Sequence, residues 1–98
     1  YNFNQIPTRI ENGGLISDEL SLSFGLFTIP NIALGNVEIH SLELGNWDPA
    51  YLFKAENDIM IANVSSLSSS SATVTVTGPF IFNNATTVVG TCTLNLKF

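Results

Sequence analysis

The side chain best suited to acid–base chemistry in this sequence is its single histidine, His40. Glu38 and Glu43 lie close to it along the chain, so a histidine–carboxylate pair could form beside one of the many serines. Such a pair activates a hydroxyl only when nucleophile, base and orienting carboxylate converge. No motif assigns a particular serine to His40, and a polar residue on the outward side of a strand gives the same pattern. We therefore expect no catalytic site and no enzyme activity.

Residue types that bind metals are present without a recognisable ligand spacing. A zinc site would have to combine Cys92 and His40 with carboxylates, and the sequence shows no zinc-binding pattern. Asp48, Glu56 and Asp58 could supply the loop oxygen atoms that calcium prefers. The same residues also fit a solvated acidic surface. The sequence therefore predicts no metal site and no cofactor.

Two aromatic residues near a turn offer a candidate binding site. Trp47 and Tyr51 flank the Asp48-Pro49 dipeptide, and exposed rings of this kind can stack on sugars. The competing interpretation is that Trp47 closes one end of the hydrophobic core. These two residues carry our alternative hypothesis, a carbohydrate-binding or adhesion module that takes a glycan as its ligand.

The composition excludes several classes of partner. Charged residues make up 11% of the chain, against about 25% in typical soluble domains. The three cations are not clustered and the formal net charge is −5, which argues against nucleic acid and against anionic membrane surfaces. The single cysteine excludes an intrachain disulfide. Two glycosylation sequons, at Asn63 and Asn84, are compatible with an extracellular location.

Hydrophobic periodicity predicts the fold class. Residues 20–37 and 59–96 contain no Asp, Glu, Lys or Arg, and apolar residues alternate there with Ser, Thr or Asn. A period of two is typical of β-strands. The pattern predicts one all-β domain over residues 1–98, a small antiparallel β-sandwich of six or seven strands. Immunoglobulin-like and jelly-roll topologies both fit, although the Cys–Trp–Cys spacing of antibody domains is absent.

The N-terminal half gives four local predictions. Residues 5–10 should form a strand joined by a hairpin to a segment starting near Leu15, because Asn12-Gly13-Gly14 favours a turn. A second strand is expected over 18–27. The inward parity changes after Ile39, which predicts a β-bulge near residues 40–41. Pro49 at a first helical position favours a short helix near 49–56, with a strand as the alternative.

The C-terminal half is expected to consist of long strands. Residues 59–64 should form one, and 72–82 another that continues through Gly78-Pro79 rather than turning back. A hairpin at that point would place Phe80 and Phe82 on the Thr face. Pro79 suggests that this part of the strand lies at a sheet edge. The last strand should run to the C-terminus with Cys92 facing inward.

The shortage of charge also leads to a hypothesis about function. Exposed strand edges usually carry charged residues that prevent pairing with other chains, and here such residues are scarce. A partner chain could cover the edges by strand addition. We therefore expect a non-enzymatic structural subunit that self-associates or binds a partner structural protein, such as a virion or phage surface or decoration protein or an extracellular filament subunit. The candidate interface residues are Tyr1 and Phe3, in a possible N-terminal arm (1–5), and Thr73, Thr75 and Thr77.

Overall fold

Strands make up most of the chain that the structure describes. The computed structural model describes residues 5–10, 14–16, 21–23, 27–43, 53–82 and 86–98. The all-β class is confirmed, and the described residues contain no helix. The strands are β1 (Gln5–Ile10), β2 (Gly14–Ile16), β3 (Ser21–Ser23), β4 (Thr28–Ile29), β5 (Gly35–His40), β6 (Phe53–Ala55), β7 (Ile59–Leu67), β8 (Ser71–Phe82) and β9 (Thr86–Lys97).

All of these strands belong to one sheet, in the order β1-β9-β8-β7-β5-β4-β3-β2, with β6 also paired to β8. Neighbouring strands are antiparallel except β1 and β9, which are parallel. The strand count exceeds the predicted six or seven because β2, β3, β4 and β6 are only two or three residues long. The arrangement in two layers stays a prediction.

The long charge-free stretch forms the middle of this sheet. It contains β7, β8 and β9, and each of the three has a neighbouring strand on both sides. Where these strands are paired on both sides, they do not need charges to protect an edge. The outermost strands of the described sheet are β1 and β2. Pro7 and Arg9 in β1 are residue types that discourage edge pairing.

Alternate residues of the sheet build a single core. Even-numbered residues of β8 and β9 are buried in this core: Ala72, Val74, Val76, Phe80, Cys92, Leu94 and Leu96. The inward position predicted for Cys92 is thus confirmed. Leu22, Phe27 and Ile29 come from the other end of the strand order and pack in the same cluster. Fully buried side chains in this cluster include Leu22, Ile29, Ile39, Val64, Val74, Val76, Phe80, Cys92, Leu94 and Leu96.

The continuous course of β8 through Gly78-Pro79 is confirmed. Its ladder with β9 runs without a break from Ser71–Lys97 to Phe82–Thr86. The expected edge position of Pro79 is wrong, because Pro79 pairs with Val89 on one side and accepts a hydrogen bond from the Glu56 backbone N–H (3.0 Å) on the other. The N and C=O groups of a strand residue point to the same neighbouring strand. The nitrogen of Pro79, which carries no hydrogen, therefore faces the gap between the end of β6 and the start of β7.

A wide bulge separates β6 from β7. Ala55 pairs with Phe80 and Ala62 with Val76, so the six residues 56–61 lie opposite the three residues 77–79. The helix expected near 49–56 is therefore wrong for residues 53–55, which form β6; residues 49–52 lie outside the described residues. Pairing with the C-terminal end of β8 decides the conformation here, against the local helix-start signal.

The parity change at residues 40–41 falls where β5 ends at His40, and the β-bulge within a continuous strand stays a prediction. Ile39 and Leu42 are both buried, although they are three residues apart and a regular strand would place them on opposite faces. Ser41 lies between them with a left-handed φ of 58°, and its N–H donates to the Asp58 carbonyl oxygen at 2.7 Å. Beyond Ser41 the chain leaves β7, and Glu43 is bridged to Lys54.

The hairpin expected between residues 5–10 and the segment near Leu15 is wrong, although both form strands. β1 pairs with β9, placing Ile6, Thr8 and Ile10 in register with Cys92, Leu94 and Leu96, and β2 pairs with β3. This register adds a strand along the segment of β9 that contains Cys92, Leu94 and Leu96. The strand expected over 18–27 is described only at Ser21–Ser23 and at Phe27.

Two valines on neighbouring strands, one buried and one exposed, test which side chains face the core and which face solvent. Val74→Ala removes two buried methyl groups from a fully buried side chain, so we expect a loss of about 2 kcal/mol in the free energy of unfolding. Val89, on the neighbouring strand, is 71% exposed, and Val89→Ala should change stability by no more than about 0.5 kcal/mol. Urea denaturation measures both. Equal losses in the two variants would contradict the assignment.

Candidate assembly surface

The side of the sheet that faces away from the core forms a broad outer face. In register, Asn36, Asn63, Thr75 and Thr93 lie side by side across β5, β7, β8 and β9. We define the outer face as Asn36, Glu38, His40, Ile59, Ile61, Asn63, Thr73, Thr75, Thr77, Val89, Thr91, Thr93 and Asn95. Three of the predicted interface residues, Thr73, Thr75 and Thr77, are thus placed on it.

Polar side chains of the outer face bond to one another across strands. The Asn63 amide Nδ2–H donates to Asn36 Oδ1 at 3.2 Å, and the hydroxyl groups of Thr77 and Thr91 are 3.1 Å apart. Thr73 and Thr75 are half-buried, whereas Thr77 is exposed. Lateral bonds of this kind satisfy part of the hydrogen-bonding capacity of each side chain within the face.

Large apolar side chains lie exposed beside these polar rows. Ile59 is 53% exposed, Ile61 59% and Val89 71%. The sequence analysis missed the two isoleucines, although their signal was available. They alternate with Met60 and Ala62, which are buried, so one parity of β7 had to face outward.

The histidine–carboxylate pair considered in the sequence forms on this face. His40 Nε2 lies 3.0 Å from Glu38 Oε1, and both side chains are partly exposed, at 34% and 58%. Glu43 instead lies beyond Ser41, where its backbone pairs with that of Lys54 in an isolated antiparallel β-bridge. An exposed pair of this kind contributes little to stability. The described contacts of His40 do not include a serine hydroxyl, so the geometry assembles the pair without a nucleophile.

The other candidate residues are distributed between the core, the bulge and the undescribed segments. Cys92 is fully buried, while Glu56 and Asp58 are exposed on the bulge between β6 and β7. In the part of the chain that the structure covers, no three His, Cys, Asp or Glu residues are grouped closely enough to hold a metal ion. Six of the candidate residues singled out in the sequence analysis lie outside the described ranges: Tyr1, Phe3, Trp47, Asp48, Tyr51 and Asn84.

Comparisons with known proteins give no family for this chain. Neither the protein-family models, nor the curated proteins, nor the solved structures contain a match. The described segments contain no helix long and apolar enough to cross a membrane.

The hydroxyl pair on the outer face can be tested with a double-mutant cycle. Thr77→Val and Thr91→Val each keep the shape and β-propensity of the side chain while removing one hydroxyl. Because the two hydroxyl groups are 3.1 Å apart, we expect a coupling free energy of about 0.2–1 kcal/mol between them in urea denaturation. Strictly additive effects would contradict a direct bond.

Proposed function

We propose that this protein is a non-enzymatic structural subunit whose outer face packs against another chain in a multimeric assembly. The assemblies that fit are a virion or phage surface, where the chain would be a coat or decoration protein, and an extracellular filament. The observation that carries the proposal is the exposure of three large apolar side chains, Ile59, Ile61 and Val89, on the outer face. Exposed apolar groups rimmed by polar residues are typical of protein–protein contacts.

The polar part of the outer face supports the same proposal. Charged side chains are depleted from the centre of protein interfaces, because removing a charge from water costs much free energy. On this face the rows across β7, β8 and β9 carry hydroxyl, amide and aliphatic groups, and the acidic Glu38 is already paired with His40. The cross-strand bonds of Asn63 and Thr77 lower the cost of removing water from these rows.

The sheet order favours a contact through the face over one through the strand edges. Within the described sheet β7, β8 and β9 each pair with a strand on both sides, and the outermost strand β1 contains Pro7 and Arg9. A proline cannot donate to a new ladder, and an edge arginine opposes pairing. The proposed subunit therefore builds its assembly mainly through the side chains of the outer face.

Sedimentation velocity over a wide concentration range tests the proposal. The natural chain should form an oligomer or polymer, and Ile61→Lys should weaken its self-association at least about tenfold, because a charge is forced into the contact. Leu34→Lys is the matched control: Leu34 is 66% exposed but lies in the loop before β5 and is not one of the residues that define the outer face. Its association should match that of the natural chain.

Two results would contradict the proposal. One is a monodisperse monomer at every concentration, both alone and with a partner structural protein isolated alongside it. The other is an equal loss of association in Ile61→Lys and Leu34→Lys, since a general effect of added lysine would then explain the data. Thermal unfolding of both variants should match the natural chain, because both positions are exposed.

A further inference from the structure

An open polar groove lies at one end of the sheet, where the turn between β7 and β8 meets the end of β9. It has a volume of about 590 Å³. The turn beside it is held in shape by Ser68, whose Oγ accepts hydrogen bonds from the N–H groups of Ser70 (3.3 Å) and Ser71 (3.1 Å). The described residues that line the groove are Ser70, Ser71, Ala72, Thr73, Asn95, Leu96 and Lys97. These hydroxyl, amide and ammonium groups are hydrogen-bond donors suited to carboxylates.

One of the three cations of the sequence, Lys97, lies at this end of the sheet. Lys97 lines the groove and is exposed, and it pairs with Ser71 in the ladder between β8 and β9. In a chain with three cations and a formal net charge of −5, the exposed ammonium group of Lys97 makes the groove a suitable surface for an acidic ligand.

The bulge between β6 and β7 has the complementary properties. Glu56, Asn57 and Asp58 are all exposed, and two of them are acidic. The backbone of the bulge is fixed at both ends, by the bond from Glu56 N–H to Pro79 O (3.0 Å) and the bond from Ser41 N–H to Asp58 O (2.7 Å). A projection that is already ordered loses little conformational entropy when it binds.

The groove and the bulge cannot meet within one molecule. Ser71 lies at the groove, and Phe80 lies opposite the end of β6, next to the bulge. Nine residues of extended strand separate them, about 30 Å at the usual rise per residue. This distance agrees with the 39 Å long axis of the protein. The bulge of one molecule can therefore reach only the groove of another.

We propose that copies of this chain bind head to tail, with the Glu56–Asp58 bulge of one copy seated at the Lys97 groove of the next. This inference rests on the proposed function and names the partner as a second copy of the chain. Because the two surfaces differ, the contact is heterologous, and repeated contacts generate a filament or a closed ring. Exposed charge pairs contribute little free energy one by one, so the bulge and groove set the direction of assembly while the outer face supplies apolar contact.

Charge reversal tests this inference. Lys97→Glu makes both ends acidic, and Glu56→Lys/Asp58→Lys makes both ends basic, so each variant alone should associate at least about tenfold more weakly. An equimolar mixture should recover association, because the basic bulge fits the acidic groove and the natural bulge of the first variant fits the natural groove of the second. Lys54→Glu is the matched control, since it makes the same change in net charge as Lys97→Glu but lies beside the bulge. It should retain association.

Salt dependence gives a second measurement that needs no variant. Association of the natural chain should weaken when the salt concentration is raised from about 0.05 M to about 0.5 M, because the exposed charges are then screened. Circular dichroism and thermal unfolding should show natural folding in all variants, whose substituted residues are exposed.

The possible outcomes separate this inference from the proposed function. If the natural chain associates and Ile61→Lys abolishes association, while the charge variants and salt have no effect, the head-to-tail contact is wrong and the outer-face proposal stands. If Lys54→Glu loses as much association as Lys97→Glu, or the mixture does not recover, general repulsion explains the data and the contact is again wrong. If the natural chain is monomeric alone at every concentration, the head-to-tail contact is wrong; if it also fails to associate with a partner structural protein, the outer-face proposal is wrong as well.

Discussion

The pairing of β8 along both of its edges is the constraint on which the rest of this structure depends. Its ladder with β9 is continuous over the full strand, and β7 and β6 share its other edge. Because side chains alternate with a period of two, a slip by one residue would move Val74, Val76 and Phe80 from the core into water. The same register places the threonines of both strands outside. One set of backbone bonds therefore fixes both the core and the outer face.

An interruption in the pairing along the other edge of β8, between β7 and β6, shapes the acidic bulge. Gly78 is paired with Gly90, and a Cβ atom on Gly78 would collide with the side chain of Met60, which crosses the strand at this point. Pro79, the next residue, has no N–H to offer a neighbouring strand. β7 ends its pairing just before these two residues, and β6 begins just after them. The residues in between are left without partners in the ladder, which explains why 56–58 project into solvent.

The sequence predicts the long strands well because their signal is local. Alternation identifies β7, β8 and β9, and the need to keep Phe80 inward correctly predicts that β8 continues through Gly78. The parallel partner of β1 could not be predicted this way, since nothing local distinguishes pairing with Leu94 and Leu96 from pairing with a nearby hairpin strand. At β6 the local sequence was misleading. Its short pattern favours a helix, but pairing with β8 makes residues 53–55 a strand. On the outer face, the threonines were recognised from parity, but the groove and bulge depend on how distant strand ends align.

The absence of charge in residues 59–96 has two separate causes, and only one of them is explained by the fold. Central strands do not need charged residues at their edges, because β1, β5 and β6 complete the hydrogen bonding of β7, β8 and β9. This pairing places no demand on side chains that point away from the core. A sheet face in contact with water tolerates Lys and Glu at positions such as Thr75 and Thr93, and charges there would keep the protein apart from its neighbours. The uncharged part of the outer face from Ile59 to Asn95, rather than the strand edges, is therefore the argument for a contact with another chain.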